Sequence, residues 1–596
     1  MTSSLAHRGP DGVAYWQNIK QNALLGHCRL AVIDLTNAAA QPMHYMGRYT
    51  IIHNGEIYNY IELREQLVGK GYSFSTSSDT EVICAAYDHF EDECVEHFNG
   101  MFAFAIWDEQ EQEFFAARDR FGEKPFYYCL NDDTLFFASE LKALWAASVQ
   151  RRPNLQMLFN FITIGYTDNP GRPEETFFEN VYRLPAASLL YFHPATKELT
   201  IEKYWDIDPG LKNKLISDVT AMERFNDLFS NSIRRRLRSD VGIGTSLSGG
   251  LDSSSVVAVI SELIKNTATK QPKDSFTAIF PGFEKDEAAF AKEVSSQFNL
   301  RSHVVAITAD DLVNDWEKFI YHQEEPFATA SAYAQFKVYE LAKKENIKVL
   351  LDGQGADETL AGYPRYYKWY WQELFQKRRL VSSRELKAAK ELGVEETFGL
   401  KNIVAALVPD IASVILERQY LVNALRHEDL TRDFVRLQSK EAYYSTPATF
   451  NLNGALYFNT FIHGLEELLR LADRNSMAHG REVRLPFLDH ELVEFVFSLP
   501  SHFKIRQGWT KWILRNSMAG KLPVDIVWRK RKVGFEPPQK DWMQDPRVQE
   551  MIHQAKQKLV REKILNPRVL DRPVIAGSSH GAGGNDWRYL TAAAWL

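Results

Sequence analysis

The chain has 596 residues, of which 45% are hydrophobic and 25% are charged, and its formal net charge at pH 7 is −7. This length exceeds what one hydrophobic core supports, so two or more domains are expected. The acidic balance argues against nucleic acid as a default partner, and no apolar run is long enough to suggest a membrane span.

The start of the sequence and its cysteines indicate a cellular compartment. Met1 to Ser4 lead almost directly into His7-Arg8, with no apolar signal segment. No CxxC pair occurs among the four cysteines, so neither a zinc site nor a disulfide scaffold is expected; they are Cys28, Cys84, Cys94 and Cys129. These features predict a cytoplasmic protein.

The N-terminal third alternates short apolar runs with turn residues. Residues 82–90 have a helical pattern, whereas the apolar runs suit strands; these runs are residues 30–33, 49–52, 101–107, 114–117 and 134–138. Short strands with few long helical periods predict an α+β layered domain over residues 1–195.

Five fragments of this region resemble the glutaminase domain of class II glutamine amidotransferases, which has the N-terminal-nucleophile fold. They are HRGPD at 7–11, RLAVID at 29–34, NGEIYN at 54–59, SDTE at 78–81 and GMFAF at 100–104. The resemblance implies that Arg29 and Asp79 clamp the α-carboxylate and α-amine of glutamine, which suits a guanidinium and a carboxylate. It implies further that Asn54 and the Gly55 N–H form an oxyanion hole and that Glu56 belongs to the same site.

The nucleophile of that family is a cysteine at the mature N-terminus, whose own α-amine serves as the base. The resemblance places it about twenty residues before Met1. Cys28, beside Arg29, is most simply a packing residue. Two explanations stay open: the sequence is shortened at its start, which an unpaired sheet edge would favour, or the enzyme takes free ammonia or another amine.

A loop-rich segment separates this region from the next. Residues 146–215 are punctuated by breakers, and one short helix is predicted at 155–162; the breakers are Pro153, Gly165, Pro170, Gly171, Pro173, Pro185 and Pro194. A strand is predicted at 188–192 and a helix at 221–237.

The stretch VGIGTSLSGGLDSSS at 241–255 predicts a strand, a glycine turn and a helix that begins near Asp252. Such a turn lets backbone N–H groups approach an anion at the positive end of a helix. It is not a P-loop, because no lysine follows the glycines. The sequence therefore predicts a phosphate cradle to which serine hydroxyls contribute.

Further strands at 276–280, 304–307 and 349–351 alternate with helices, which predicts a parallel sheet covered on both faces. A second glycine-rich stretch, DGQGADE at 352–358, follows the last of these strands, so Asp252 and Asp357 should meet at the carboxyl edge. Carboxylates beside phosphates call for a divalent cation, so Mg²⁺ held by these two residues is expected. The simpler alternative for Asp252 is a helix-dipole partner.

The string SGGLDSS resembles the signature of PP-loop ATP pyrophosphatases, and LLRLADRNSMA (468–478), EVRLPFLD (482–489), KWILR (511–515) and WRKRKVGF (528–535) resemble asparagine synthetases. This resemblance implies a PP-loop domain over 215–545, followed by a C-terminal tail over 546–596, flexible from Pro567. It places Lys532 on the leaving pyrophosphate, with Lys511 and Arg474 as further candidates. The implied ATP-binding residues are Leu247, Ser248, Gly249, Gly250, Asp252, Ser253, Ala278, Asp352 and Gly353.

Gln354 departs from the pattern, because asparagine synthetases often have a carboxylate there that helps ammonia attack. A neutral amide cannot act as a general base, so this catalytic role passes to Glu358 or a substrate group, or the substrate differs.

The resemblance implies that aspartate is converted to asparagine through β-aspartyl-AMP, with ATP cleaved to AMP and pyrophosphate and with ammonia taken from glutamine or free in solution. One alternative is a related synthetase acting on another carboxylic acid, of the lasso-peptide cyclase or β-lactam synthetase type. Another is a glutamine-sensing module without catalysis, against which the complete SGGLDSS string speaks. The expected partners are small molecules, and assembly as a homodimer is left open.

Overall fold

The computed structural model describes residues 1–210, 213, 215–265, 273–440, 443–530, 534–579 and 584–596. No helix within these ranges is long and apolar enough to cross a bilayer.

The strands are β1 (Gly12–Gln17), β2 (Leu24–Arg29), β3 (Met43–Tyr45), β4 (Tyr49–Ile57), β5 (Gly100–Asp108), β6 (Glu113–Arg118), β7 (Tyr127–Asn131), β8 (Thr134–Ala138), β9 (Tyr182–Arg183), β10 (Ser188–His193), β11 (Glu198–Lys203), β12 (Ile243–Ser246), β13 (Asp274–Ile279), β14 (Arg301–Ala306), β15 (Val349–Leu351), β16 (Glu482–Arg484), β17 (Ile505–Arg506) and β18 (Trp509–Thr510).

The helices are α1 (Tyr60–Val68), α2 (Asp79–Phe90), α3 (Leu141–Ala146), α4 (Leu155–Ile164), α5 (Asp218–Arg236), α6 (Leu251–Lys265), α7 (Ala288–Gln297), α8 (Ala309–Gln323), α9 (Ser331–Lys344), α10 (Ala356–Thr359), α11 (Tyr366–Gln376), α12 (Glu385–Glu391), α13 (Leu400–Leu407), α14 (Pro409–Leu425), α15 (Arg432–Gln438), α16 (Leu452–Tyr457), α17 (Leu465–Met477), α18 (His490–Ser498), α19 (Trp512–Met518), α20 (Val524–Val527), α21 (Gln539–Trp542), α22 (Pro546–Arg561) and α23 (Asn585–Trp595).

The N-terminal half is layered around an antiparallel six-stranded sheet in the order β11-β10-β6-β5-β4-β3. Strand β5 lies inside this sheet, and its alternate side chains enter two different cores. Phe102 and Phe104 pack with α2 on one face, whereas Ala103 and Trp107 pack toward β7 on the other. Burial on both faces explains why β5 reads as a continuous apolar run, and the predicted α+β layering is confirmed.

Two small sheets lie on that second face, the hairpin β1-β2 and the three-stranded β8-β7-β9. The apolar run at 30–33 follows β2 and forms no strand. Instead Val32 and Ile33 pack against Val349 of β15, and the Val32 carbonyl accepts a hydrogen bond from the Asp240 N–H at 3.0 Å. This run is apolar because it contacts the other half of the molecule.

The C-terminal half contains the predicted parallel sheet, in the order β14-β13-β12-β15-β16. All four strand pairs are parallel. Helices α5 and α6 cover one face, and α8, α9 and α17 belong to the core on the other. The predicted α/β class of this half is confirmed.

The prediction of a flexible tail from Pro567, within 546–596, is wrong for the residues described there. Helix α22 precedes this segment and α23 ends it, and α23 buries Trp587, Tyr589 and Trp595. The Trp595 ring lies 5.4 Å from the rings of both Phe177 and Phe178. The glycine-rich stretch before α23 led to the prediction of a flexible tail, but the aromatic side chains of α23 pack into the main core.

Candidate functional site

A cavity of about 800 Å³ gathers the predicted glutamine residues of the N-terminal half. Its lining includes Arg29 at the end of β2, Asn54, Gly55 and Glu56 in β4, and Asp79 at the start of α2. The five residues predicted to bind glutamine therefore share one cavity, although they are distant in the sequence.

Gly55 is required by backbone geometry. Its φ is +138°, and a Cβ added there would lie 2.0 Å from the Met101 carbonyl oxygen of the neighbouring strand. The Asn54 amide lies beside it and donates to Ser139 Oγ at 3.5 Å. A side chain at position 55 would therefore displace β5 and the Asn54 backbone with it.

The carboxyl groups of Asp79 and Glu56 are buried in the cavity wall. Asp79 Oδ2 accepts the Ile57 N–H at 2.9 Å, and burial raises the pKa of Asp79 above its ordinary value. Burial also raises the pKa of Glu56, well above its usual range, and Glu482 adds to this effect. Both groups would gain from an ammonium ligand, which would favour their charged forms.

Arg29 lies at the rim of the same cavity. Its Nη1 donates to the Thr36 carbonyl at 2.7 Å, and its Nη2 donates to the Asp34 carbonyl. These bonds fix the guanidinium plane, and a carboxylate ligand would compete with one or both carbonyls.

The cysteines are poorly suited to nucleophilic attack. Cys28 lines the cavity, but its thiol donates to the Thr2 carbonyl at 3.3 Å, and burial raises its pKa. Cys84, Cys94 and Cys129 are buried. Residues of β2 and β8 are among those that line the cavity.

The serine-rich loop of the C-terminal half leaves β12 at Ser246 and enters α6 at Leu251. Gly249 has φ +78°, and a Cβ there would lie 2.4 Å from the Ala291 N. Ser248 Oγ accepts the Gly250 N–H at 3.2 Å and lies 3.2 Å from Ser253 Oγ. The predicted strand, turn and helix are present, with two hydroxyls at the mouth of the turn.

The second glycine-rich loop abuts the first at the carboxyl edge of the sheet. A Cβ added to Gly353 would lie 2.7 Å from the Ser253 N, so the two loops are in backbone contact. Within the second loop Gln354 Nε2 donates to Asp352 Oδ2 at 3.4 Å, and burial raises the pKa of Asp352. The convergence expected from the strand order is present.

The buried ammonium of Lys511 joins the two predicted metal ligands. Its Nζ lies 2.5 Å from Asp252 Oδ2 and 2.6 Å from Asp357 Oδ1. Burial opposes its charge, but the two carboxylates prevail and raise the pKa of Lys511. Asp252 and Asp357 therefore both contact one ammonium group.

Lys511 was only a minor candidate from the sequence. It precedes α19 and has a left-handed φ of +51°. No local sequence pattern predicts this backbone conformation. The KWILR motif was the only signal available.

Other predicted residues have defined surroundings. The Tyr363 hydroxyl donates to the buried Glu358 carboxylate at 2.5 Å. Leu247 is buried; its N–H donates to the Phe276 carbonyl, and its carbonyl accepts the Thr277 hydroxyl at 2.7 Å. Ala278 lies in β13. Lys532 lies outside the described residues.

Arg474 belongs to a buried interdomain network. It pairs with Glu324, and one residue earlier Asp473 binds Arg8 of the N-terminal half at 2.7 Å. A second bridge joins the halves at the first cavity, where Arg484 Nη2 lies 3.5 Å from Glu56 Oε1. That cavity is also lined by Met477 and Glu482, so it extends to the parallel-sheet half.

Comparisons with known proteins agree with this division of the chain. A family model described as asparagine synthase matches residues 224–596, and one described as a glutamine amidotransferase domain matches residues 1–205. Asparagine synthetase (glutamine-hydrolyzing) 1 of Bacillus subtilis is 30% identical over 573 residues, covering 91% of this chain and 84% of the relative.

Two further relatives are similar over most of the chain. Asparagine synthetase (glutamine-hydrolyzing) 3 of Bacillus subtilis is 30% identical over 551 residues, covering 89% of this chain and 82% of the relative. Amidase chry2 of Gibberella zeae is 28% identical over 610 residues, covering 92% of this chain and 87% of that protein. Similarity therefore extends over both halves of the chain.

Proposed function

This chain belongs to the asparagine synthase family and is a carbon–nitrogen ligase of that type, and from that premise we propose that it converts aspartate to asparagine. In this reaction a β-carboxylate oxygen of aspartate attacks the α-phosphorus of ATP and the bond to the β-phosphate breaks. Ammonia then attacks the acyl carbon of β-aspartyl-AMP, and AMP leaves. The convergence of Asp252, Asp357 and Lys511 beside the serine-rich loop is the observation that carries the proposal.

We propose that the two glycine-rich loops bind the nucleotide. The N–H groups at the start of α6 and the hydroxyls of Ser248 and Ser253 would hold phosphate oxygens. Asp252 and Asp357 would hold Mg²⁺, which when bound supplies the charge that lets phosphates approach carboxylates. Lys511, together with Lys532, would then stabilise the departing pyrophosphate.

We propose Glu358 as the group that receives the proton from the attacking ammonia. Gln354 cannot do this, because an amide has no basic lone pair of suitable strength. Tyr363 donates to Glu358 at 2.5 Å and so orients that carboxylate.

For the nitrogen donor we propose ammonia, either released from glutamine or free in solution. The cavity with Arg29, Asn54 and Asp79 supports glutamine binding, but the thiol that lines it has a raised pKa and is hydrogen-bonded.

The second candidate is a ligase that amidates a different carboxylic acid, of the lasso-peptide cyclase or β-lactam synthetase type. Gln354 is the observation that favours it. The retained glutamine residues weigh against it, because such enzymes would not be expected to keep Arg29, Asn54 and Asp79 together.

Pyrophosphate release separates the two candidates. We expect release that depends on aspartate, ATP, Mg²⁺ and ammonium, with asparagine as product by chromatography. Release with another carboxylic acid and none with aspartate would overturn the proposal.

A further inference from the structure

Strand β16 of the synthetase half brings two charged side chains to the glutamine cavity. Glu482 lines the cavity. Arg484 is completely buried, and its Nη2 lies 3.5 Å from Glu56 Oε1. Alternate residues of a strand point to the same face, so both side chains leave β16 toward the amidotransferase half. The motifs that predict the glutamine site include neither residue.

The backbone and the guanidinium of Arg484 are both held in place. Its carbonyl accepts the Asp352 N–H at 3.0 Å, which joins β16 to the second glycine-rich loop. Its Nη1 donates to the carbonyls of Arg236 at 2.8 Å and Arg238 at 2.6 Å, and its Nε donates to Glu482 Oε1 at 2.7 Å. These bonds hold the remaining nitrogen, Nη2, at the cavity wall.

Glu56 is the cavity carboxyl that this arginine contacts. Its Oε2 is buried and has no hydrogen-bond partner among the described residues. Burial, together with the neighbouring Glu482 and Asp79, raises the pKa of Glu56, whereas the cations Arg484 and Lys124 act against this rise. A buried carboxyl beside other carboxyls ionises only where positive charge compensates it. Arg484 supplies part of that charge and leaves Oε2 available to a ligand.

We propose that Arg484, itself fixed by Glu482, is a positioning residue for glutamine, which holds Glu56 Oε1 so that Oε2 meets the α-ammonium of the bound amino acid. The inference rests on the proposed glutamine site and adds to it a part that the other half of the chain supplies. An α-ammonium has three N–H donors, so it can bind the carboxylates of Glu56 and Asp79 together. This arrangement selects amino acids over carboxylic acids that lack the amine.

Selection between two ligands tests this arrangement. Calorimetry on the full chain compares glutamine with glutaramic acid, which is the same molecule without the α-ammonium. Arg484→Gln should weaken glutamine binding about tenfold and glutaramic acid binding by less than about twofold. Arg484→Lys keeps a cation beside Glu56 but changes the bonds to the two backbone carbonyls, so it should retain most of the preference for glutamine. A merely structural arginine would give equal losses for both ligands.

Glu482→Gln tests the same group of residues without removing the arginine. The amide oxygen can still accept the bond from Arg484 Nε, and one of the carboxylates that oppose the charge on Glu56 is gone. Glutamine should therefore bind about two- to fivefold more tightly, with glutaramic acid unchanged. Weaker glutamine binding in this variant would overturn the proposal even where Arg484→Gln does not fold.

Arg236→Gln is the matched control. Arg236 is also completely buried between the two halves, and its guanidinium lies 4.6 Å from the centre of the Tyr58 ring. Its ion-pair partner within the described residues is Asp489, at 3.2 Å, and not a carboxyl of the cavity. The preference for glutamine should therefore equal that of the wild-type chain. Thermal unfolding of each variant reports loss of fold separately.

A double-mutant cycle determines whether Arg484 acts through Glu56. Glu56→Gln should also weaken glutamine binding about tenfold, and adding Arg484→Gln to it should cost no more than about a further twofold. Additive losses would overturn the proposal, as would equal losses for the two ligands or an equal effect of Arg236→Gln. A wild-type chain that does not bind glutamine would remove the proposed glutamine site together with this inference, whereas the contrary patterns in a chain that binds glutamine would remove the inference alone.

Discussion

The two candidate sites hold their charges in different ways. In the amidotransferase cavity, Asp79 and Glu56 are buried carboxyls with raised pKa values, and a bound ammonium would favour their charged forms. At the synthetase edge, Asp252 and Asp357 already share the internal ammonium of Lys511. Under the proposed function the first site takes its cationic group from the ligand, whereas the carboxylates of the second site already lie beside a lysine of the chain.

The first site differs from the second in its chemistry as well. The cavity gathers all the side chains that the resemblance assigned to glutamine, yet the thiol in its wall is a half-buried group that donates a hydrogen bond to a backbone carbonyl. The synthetase edge combines an anion-binding helix start with two carboxylates and a lysine. We expect that each site can be disabled without loss of the other, and the substitutions and the pH titration below test this independence.

Asp357→Asn should have the largest effect. Removing one of the two carboxylates should lower ammonia-dependent pyrophosphate release by at least about 100-fold. The reason is that one proposed metal ligand would be lost, and the metal neutralises the charge of the departing pyrophosphate. Calorimetry should show unchanged glutamine binding in the same variant.

Asp433→Asn is the matched control for that change. Asp433 is an exposed residue of α15 that pairs with Arg436. The activity of the Asp433→Asn variant should therefore equal that of the wild-type chain. Thermal unfolding separates loss of catalysis from loss of fold. Retained activity in Asp357→Asn would refute the assignment of the metal site.

Asp79→Asn should act on the other site alone. Loss of the charge that meets the glutamine α-ammonium should weaken glutamine binding about 10- to 100-fold, as measured by calorimetry. Ammonia-dependent synthesis should be unchanged. A parallel loss of both properties would show that the two sites are coupled through the interdomain ion pairs.

The pH dependence of glutamine binding should sharpen the assignment. Burial raises the pKa of Asp79, so the carboxylate is protonated at a higher pH than in the unfolded chain. Glutamine affinity should therefore be full above that raised pKa and should fall by about tenfold per pH unit below it. Asp79→Asn should abolish this dependence on pH; its persistence there would assign it to another group.

Cys28→Ala should have the smallest effect. A packing thiol is replaced by a smaller side chain, so ammonia-dependent activity should stay within about two-fold of the wild-type value. Glutaminase activity in the wild-type chain that disappears in this variant would instead make Cys28 a nucleophile.

Several features were predictable from the sequence because their causes are local. The strand, turn and helix at 241–255 follow from apolar spacing and from glycines that permit a positive φ, which Gly249 has. Strand β5 was predictable because burial on both faces leaves an unbroken apolar run. The residues predicted to bind glutamine were found from motifs, and each of these motifs is only a few residues long.

The remaining features depend on contacts between distant residues. Lys511 lies 259 positions from Asp252, and no periodic pattern relates residues so far apart. The same holds for Arg484 and Glu56, which meet across the two halves. Sequence patterns report which side of an element is apolar, but only the tertiary structure decides whether that side is covered. Thus α23 is packed although a flexible tail was predicted, whereas α14 has an apolar side that stays exposed. Whether a helix side is buried depends on what the rest of the chain places against it, and not on the helix alone.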